Sequence, residues 1–283
     1  MWGTAAVQQV CRAARRLGYT HLALTDTDNL CGLWPILTAC RREGLTPIVG
    51  AEVTDPQRKQ RAVCLVENDS GYRNLCRLIT RRHTAQDFNL EAAVISHATG
   101  LVVLTRSADL LGAWHAAGVS VAAAMPRRPL PATHRLRRMA NRLGLPLVAT
   151  PGSFFLHPDD AAVHRMLRAI EHNTSLSRLA ADEVAPPDAW LAGPQEYERR
   201  FVICPQAVRS TYEIAERLTF TGPRFGIVMP PLLSQNGSTP AQGLREVAYE
   251  GARRRYGAEL SEAVVERLEH ELHSFSPMGG AGD

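Results

Sequence analysis

The chain has 283 residues, 45% of them hydrophobic, 21% charged and 6% aromatic. That apolar share excludes a disordered or fibrous protein, and no stretch approaches the roughly 18–20 apolar residues of a membrane helix. The opening Met1-Trp2-Gly3-Thr4 lacks the basic head, apolar stretch and cleavage site of a secretory signal, so a soluble, cytoplasmic protein is expected.

Net charge is +4, and almost all of the positive charge is arginine, Lys59 being the single lysine. Arginine suits bidentate phosphate contacts. However, the pairs Arg15-Arg16, Arg41-Arg42, Arg81-Arg82, Arg137-Arg138 and Arg199-Arg200 mostly fall at the ends of expected helices. Cations there complement the helix dipole and face solvent. The six cysteines form no CxxC pair and mostly sit in apolar stretches, so reduced buried thiols are expected and a structural zinc site is not.

In chain order, apolar spacing predicts a helix over 6–17, a strand over 21–24, a helix over 29–43 and a strand over 47–53. A strand over 62–66 and a helix over 71–82 follow. Strands over 101–104, 119–123 and 146–149 then alternate with helices ending near 117, 143 and 171. Such alternation predicts a parallel sheet with crossover helices, either an open doubly wound sheet or a closed β/α barrel. Neither GxGxxG nor GxxxxGK[ST] follows any strand. Beyond about residue 180 the pattern becomes helices, over 194–201, 205–218, 240–256 and 261–273, separated by Pro- and Gly-rich loops. The expected domains are a β/α domain over 1–175, a loop and helix connector over 176–239, and a further segment over 240–283.

In parallel β/α proteins functional groups collect at the C-terminal ends of strands. Those ends offer Thr25 to Asp28, then Glu52 and Asp55, Glu67 to Asp69, Thr105 to Ser107, Arg127 and Arg128, and finally Thr150, Ser153 and Phe154. Asp26, Asp28 and Glu52 could together bind a hard divalent cation or act as acid and base. The structural alternative has Asp28 capping the helix that follows and Asp26 binding loop backbone. Glu52, ending a buried strand, must find a partner. The ten histidines form no HxH, HExxH or DxH and are expected at the surface or as caps. No serine or cysteine sits in a nucleophile motif.

Two stretches, Ala23-Leu24-Thr25-Asp26-Thr27-Asp28-Asn29-Leu30 and Pro47-Ile48-Val49-Gly50-Ala51-Glu52-Val53, resemble the PHP (polymerase and histidinol phosphatase) domain. The specific resemblance is to the N-terminal PHP domain of bacterial DNA polymerase III alpha subunits, including their error-prone relatives. Gly71-Tyr72-Arg73-Asn74-Leu75-Cys76-Arg77-Leu78 is similar to a helix of that family, as are Leu145 to Thr150 with His157 to Ala161, Ala207 to Arg217, and Gly243 to Gly257. The resemblance implies an α/β fold, a distorted PHP-type (β/α)7 barrel, here lacking its first strand and followed by a helical extension. It places the missing strand before Met1, makes 240–283 the start of the polymerase core and puts the rest of that core after Asp283, so that the chain is truncated.

The resemblance also implies divalent metal ions such as Zn, Mn or Mg, used for phosphoester hydrolysis and in some members for 3′–5′ exonuclease activity. The family's ligands are an HxH pair, an early Asp, a TDH histidine, a Glu, a further His, a Cys and a final DxH. Here the HxH has no counterpart, the early Asp position is Trp2, the TDH histidine is Thr27 and the next histidine is Arg61. The cysteine region reads Thr105-Arg106-Ser107, and the final motif reads Pro151-Gly152-Ser153-Phe154. Among clear ligand positions only Glu52 remains, and one carboxylate cannot hold a multinuclear site. The expectation is a domain with no catalytic metals and no catalytic residues of its own. Asp26, Asp28 and Glu52 are then the remnant of the metal region, with Arg61 or Arg106 offsetting the Glu52 charge. A structural or docking role in DNA replication or repair synthesis follows, with DNA and replication proteins such as a proofreading subunit or sliding clamp as partners of the full-length protein. The alternative is a metal-dependent phosphoesterase or 3′–5′ exonuclease with an altered site.

Overall fold

The computed structural model describes residues 3–128, 131–224 and 239–275. The chain divides into two units, Met1–Arg224 and Phe225–Asp283. The first begins with α1 (Val7–Arg16), β1 (His21–Ala23), β2 (Asp26–Thr27) and α2 (Leu33–Glu43). Next come β3 (Thr46–Ile48), β4 (Gly50–Asp55), β5 (Gln60–Val66), α3 (Asp69–Thr84) and α4 (Leu90–His97). Then follow β6 (Leu101–Thr105), α5 (Ala108–Ala116), β7 (Val121–Pro126), α6 (Pro131–Leu143), β8 (Leu147–Thr150) and α7 (Asp160–Glu171). Helices α8 (Pro194–Arg200) and α9 (Pro205–Arg217) complete it, and the second unit holds α10 (Pro240–Tyr256) and α11 (Glu262–Phe275).

The α/β architecture agrees with the sequence pattern, and its strands form a sheet in the order β2-β4-β5-β6-β7-β8, beside a pair β1-β3. The two parallel ladders share one register, with His21 opposite Thr46 and Asp26 opposite Ala51. They are one interrupted ladder. The expectation of a uniformly parallel sheet fails at β5, which runs antiparallel to both β4 and β6. Its cause is the connection: β4 ends at Asp55 and β5 starts at Gln60, a hairpin turn, whereas a parallel return needs a crossover of a dozen or more residues. The reversal brings the start of β5, and with it Arg61, to the same edge as the C-terminal ends of the other strands.

Both sheet faces are covered, which is why β6 is buried at every position. One face packs Val103, Val121, Ala123 and Leu147 into a core with Leu75, Leu90, Leu111, Trp114 and Leu136, residues of α3 to α6. The other face packs Leu65, Val102, Leu104, Ala122, Ala124 and Val148 against Ile214 and Leu218, at and just beyond the end of α9. The segment expected to be a connector therefore belongs, as far as Arg224, to the first unit. Polar anchors hold it there as well. Buried His164 of α7 accepts from Ala185 N at 2.8 Å, Arg168 Nε donates to Glu183 O at 2.7 Å, and Tyr19 OH donates to Ala192 O at 2.7 Å.

Several helix starts differ from expectation. α2 begins at Leu33, after a loop, and α4 was not expected at all. Its eight residues are too few for a clear period; tertiary burial of Leu90, Ala93 and Val94 holds it. α3 begins where Asn68 caps it, the side chain accepting from Gly71 N. A side chain at Gly71 would place its Cβ 1.8 Å from Gly100 O, so this crossing of helix start and loop admits only glycine.

In the second unit, Thr239 Oγ1 accepts from Gln242 N, and Gln242 Oε1 accepts from Thr239 N, a reciprocal cap for α10. Arg245 and Tyr249 of α10 both contact Glu269 of α11. The expected segments over 225–238 and 276–283 lie outside the described residues.

Candidate functional site

The rim formed by the ends of β2, β4 and β6 and the start of β5 gathers most of the residues expected to carry chemistry. Asp26 does not face an open site. Its Oδ2 accepts from Gly32 N at 2.7 Å, tying down the loop before α2. A Cβ at Gly32 would meet that same oxygen at 2.7 Å.

Asp28 is no helix cap, because α2 starts beyond it. It sits at φ 57°, a conformation that Asp tolerates better than most residues. Its backbone N donates to Glu52 O at 2.7 Å, and its carboxylate accepts from Thr54 N at 2.8 Å and Thr54 Oγ1 at 2.6 Å. Arg82 Nη2 lies 3.4 Å from the same carboxylate, and His83 Nε2 donates to Asp28 O at 2.7 Å. Arg82, expected to face solvent at a helix end, is instead drawn across to β4 and loop 28 with its side chain 20% exposed. Arg82 and His83 were missed because a helix-end reading considers only the helix they sit on.

Glu52 is the carboxylate left for the rim. Thr27 Oγ1 donates to its Oε2 at 3.1 Å, and Arg61 Nη1 stands 3.4 Å from both carboxylate oxygens. The register explains the contact. Glu52 is opposite Val63 and Thr54 opposite Arg61, so Glu52 and Arg61 are diagonal neighbours on one face. Arg106 follows β6, with a water-accessible surface and protein crowding around it that depresses its pKa. Nearby Glu52 works against that depression and Arg61 adds to it. The structure thus brings Glu52, Arg61 and Arg106 together, with Arg61 making the ion pair, while Asp26 and Asp28 are held by backbone and side-chain donors. Trp2 lies outside the described residues.

This donor set does not suit a divalent cation. A single carboxylate is shared with one hydroxyl and faced by two permanently charged guanidinia, which repel a metal ion and offer no lone pair. Among the described residues, no three His, Cys, Asp or Glu side chains are grouped so as to hold one metal ion.

The rest of the rim, at β7 and β8, is closed by the segment from 185 to 201. Arg127 Nη1 and Arg200 Nη1 both donate to Asp188 O, at 2.8 and 3.1 Å. The Asp188 carboxylate pairs with Arg127 at 3.3 Å and Arg128 at 3.1 Å. Arg200 stacks 4.3 Å over the Trp190 ring. Ser153 Oγ and Tyr197 OH share a hydrogen bond at 2.6 Å. Arg200, like Arg82, was expected in solvent and is instead largely covered, its side chain 10% exposed.

Residues 1–140 match the PHP domain family. An error-prone DNA polymerase of Symbiobacterium thermophilum is 29% identical over 98% of this chain and 29% of its own length. The DNA polymerase III subunit alpha of Bacillus subtilis is 25% identical over 97% of this chain and 27% of its own. The chain spans less than a third of these curated relatives. An amidohydrolase from Chromobacterium violaceum superposes with a TM-score of 0.40 and 16% identity, over 70% of this chain and 92% of that one. Among the described residues no helix is long and apolar enough to cross a membrane.

Proposed function

We propose that this chain is a PHP domain without phosphoesterase activity, because residues 1–140 match the PHP domain family and the chain is similar to error-prone DNA polymerases and DNA polymerase III alpha. Its role is structural or docking, in DNA replication or repair synthesis. Asp26, Asp28 and Glu52 are the remnant of the metal region, and Arg61 and Arg106 supply fixed positive charge in place of metal ions. The observation that carries this reading is the Arg61–Glu52 contact, with Arg106 beside it, at the family's ligand positions. A guanidinium neutralises a carboxylate but cannot lower the pKa of a bound water or polarise a phosphoryl oxygen as a metal does. Residues 240–283 read as the start of a polymerase core, and DNA and replication proteins such as a proofreading subunit or sliding clamp are the partners.

The test is hydrolysis of a chromogenic phosphodiester and of a 3′-mismatched primer with added Zn, Mn or Mg. No metal-dependent turnover is expected. Turnover that disappears in Glu52→Gln overturns the proposal in favour of a phosphoesterase or exonuclease with an altered site.

A further inference from the structure

Arg127, the first arginine after β7, has no part in the reading above, yet it lines a cavity of about 40 Å3 with Thr133, His134, Arg137, Arg200, Phe201, Ile203 and Cys204. Three arginines and a histidine line it, and no acidic residue does. Each carboxylate nearby faces two arginines, and Asp188 Oδ1 is itself buried with no hydrogen-bond partner among the described residues. Asp188 serves both Arg127 and Arg128, and Glu196 serves both Arg199 and Arg200. Among the described residues, Arg137 makes one hydrogen bond, at 3.4 Å to Ile203 O. The Arg127 side chain is 7% exposed, and among the described residues its buried Nε has no hydrogen-bond partner, touching Asp188 Oδ2 at 3.3 Å without alignment. Burial depresses the Arg127 pKa, Asp188 opposes that, and Arg200 and Arg128 add to it, as expected where cations outnumber anions.

We propose that this cavity binds a phosphoryl group, held by Arg127, Arg137 and Arg200 at the start of α6. A water needs roughly 10–15 Å3 on this scale, so the space suits the oxygens of one tetrahedral oxyanion and is too small for a nucleobase. Guanidinium forks match phosphate oxygens. Thr133 and His134 belong to the first turn of α6, whose dipole favours an anion.

Calorimetric titration of the full chain with inorganic phosphate tests it. Arg137 is only partly buried, so Arg137→Gln retains the fold, as circular dichroism checks, and is expected to weaken phosphate roughly tenfold or more. Arg61→Gln should leave phosphate binding unchanged. If single-stranded DNA displaces phosphate, and the salt dependence of DNA binding becomes shallower by about one in Arg137→Gln, the group belongs to a nucleic-acid backbone. If DNA does not compete, it is free phosphate or a small phosphate ester. Failure of the native chain to bind phosphate overturns the proposal. Equal binding by Arg137→Gln, or loss of binding in Arg61→Gln alone, does so as well.

Discussion

Two parts of one sheet rim use the same chemistry with opposite results. Around β4 to β6, Glu52 meets Arg61 across 3.4 Å, with the arginine side chain 63% exposed. Around β7 and β8, Asp188 meets Arg127 at a similar 3.3 Å, but that arginine is 7% exposed beneath the 185–201 segment. An exposed pair is weakened by water and by the entropy of two mobile side chains. A buried guanidinium cannot be left without partners, so it dictates where Asp188 and its neighbours lie. The first pair leaves charge accessible; the second fastens one part of the chain to another.

Breaking the second pair should therefore have the largest effect. Arg127→Ala leaves the Asp188 carbonyl and carboxylate short of donors and is expected to cost about 3 kcal/mol in denaturant unfolding. Next comes Asp55, the buried carboxylate at the β4–β5 turn, which accepts from Arg58 N, Leu90 N and the Arg58 guanidinium. Burial alone would raise its pKa, but these donors together outweigh that and hold it below the ordinary value. Its contribution is fully present above the ordinary carboxylate range and is lost as pH falls through the depressed folded pKa. Asp55→Asn should cost about 2 kcal/mol at neutral pH and flatten the acid limb of a stability–pH curve.

Arg200→Leu, which removes the stack on Trp190 and a bond to Asp188 O, should cost about 1–2 kcal/mol. The smallest effect belongs to the exposed pair: Arg61→Gln should change stability by less than about 0.5 kcal/mol. A loss there as large as that of Arg127→Ala would erase the contrast between the two parts of the rim.

Much of this organisation is legible in the residues. The apolar runs of β6 and β7 announce strands buried on both faces, and Gly71 lies in the stretch that resembles a family helix. The antiparallel β5 also had a signal, the short gap between Asp55 and Gln60, which a reading based only on alternation passed over. Within the site, Glu52 reads from the sequence as a carboxylate needing a partner, and Thr27 and Arg61 are its contacts. Arg82 and Arg200 did not stand out, because each looks like an ordinary helix-end cation until the opposing chain is in place.

By itself the sequence determined the alternation of strands and helices, the family likeness, and the residue types that stand at Thr27, Arg61 and Arg106. Those properties are local, set by side-chain period and residue identity. Only the tertiary structure decided that Asp26 and Asp28 are held by Gly32, Thr54 and Arg82 while Glu52 alone faces the guanidinia. It also decided that α9 covers one face of the sheet and that Asp188 seats on Arg127. These contacts join residues far apart in the chain, and their strength depends on burial, which no local pattern encodes.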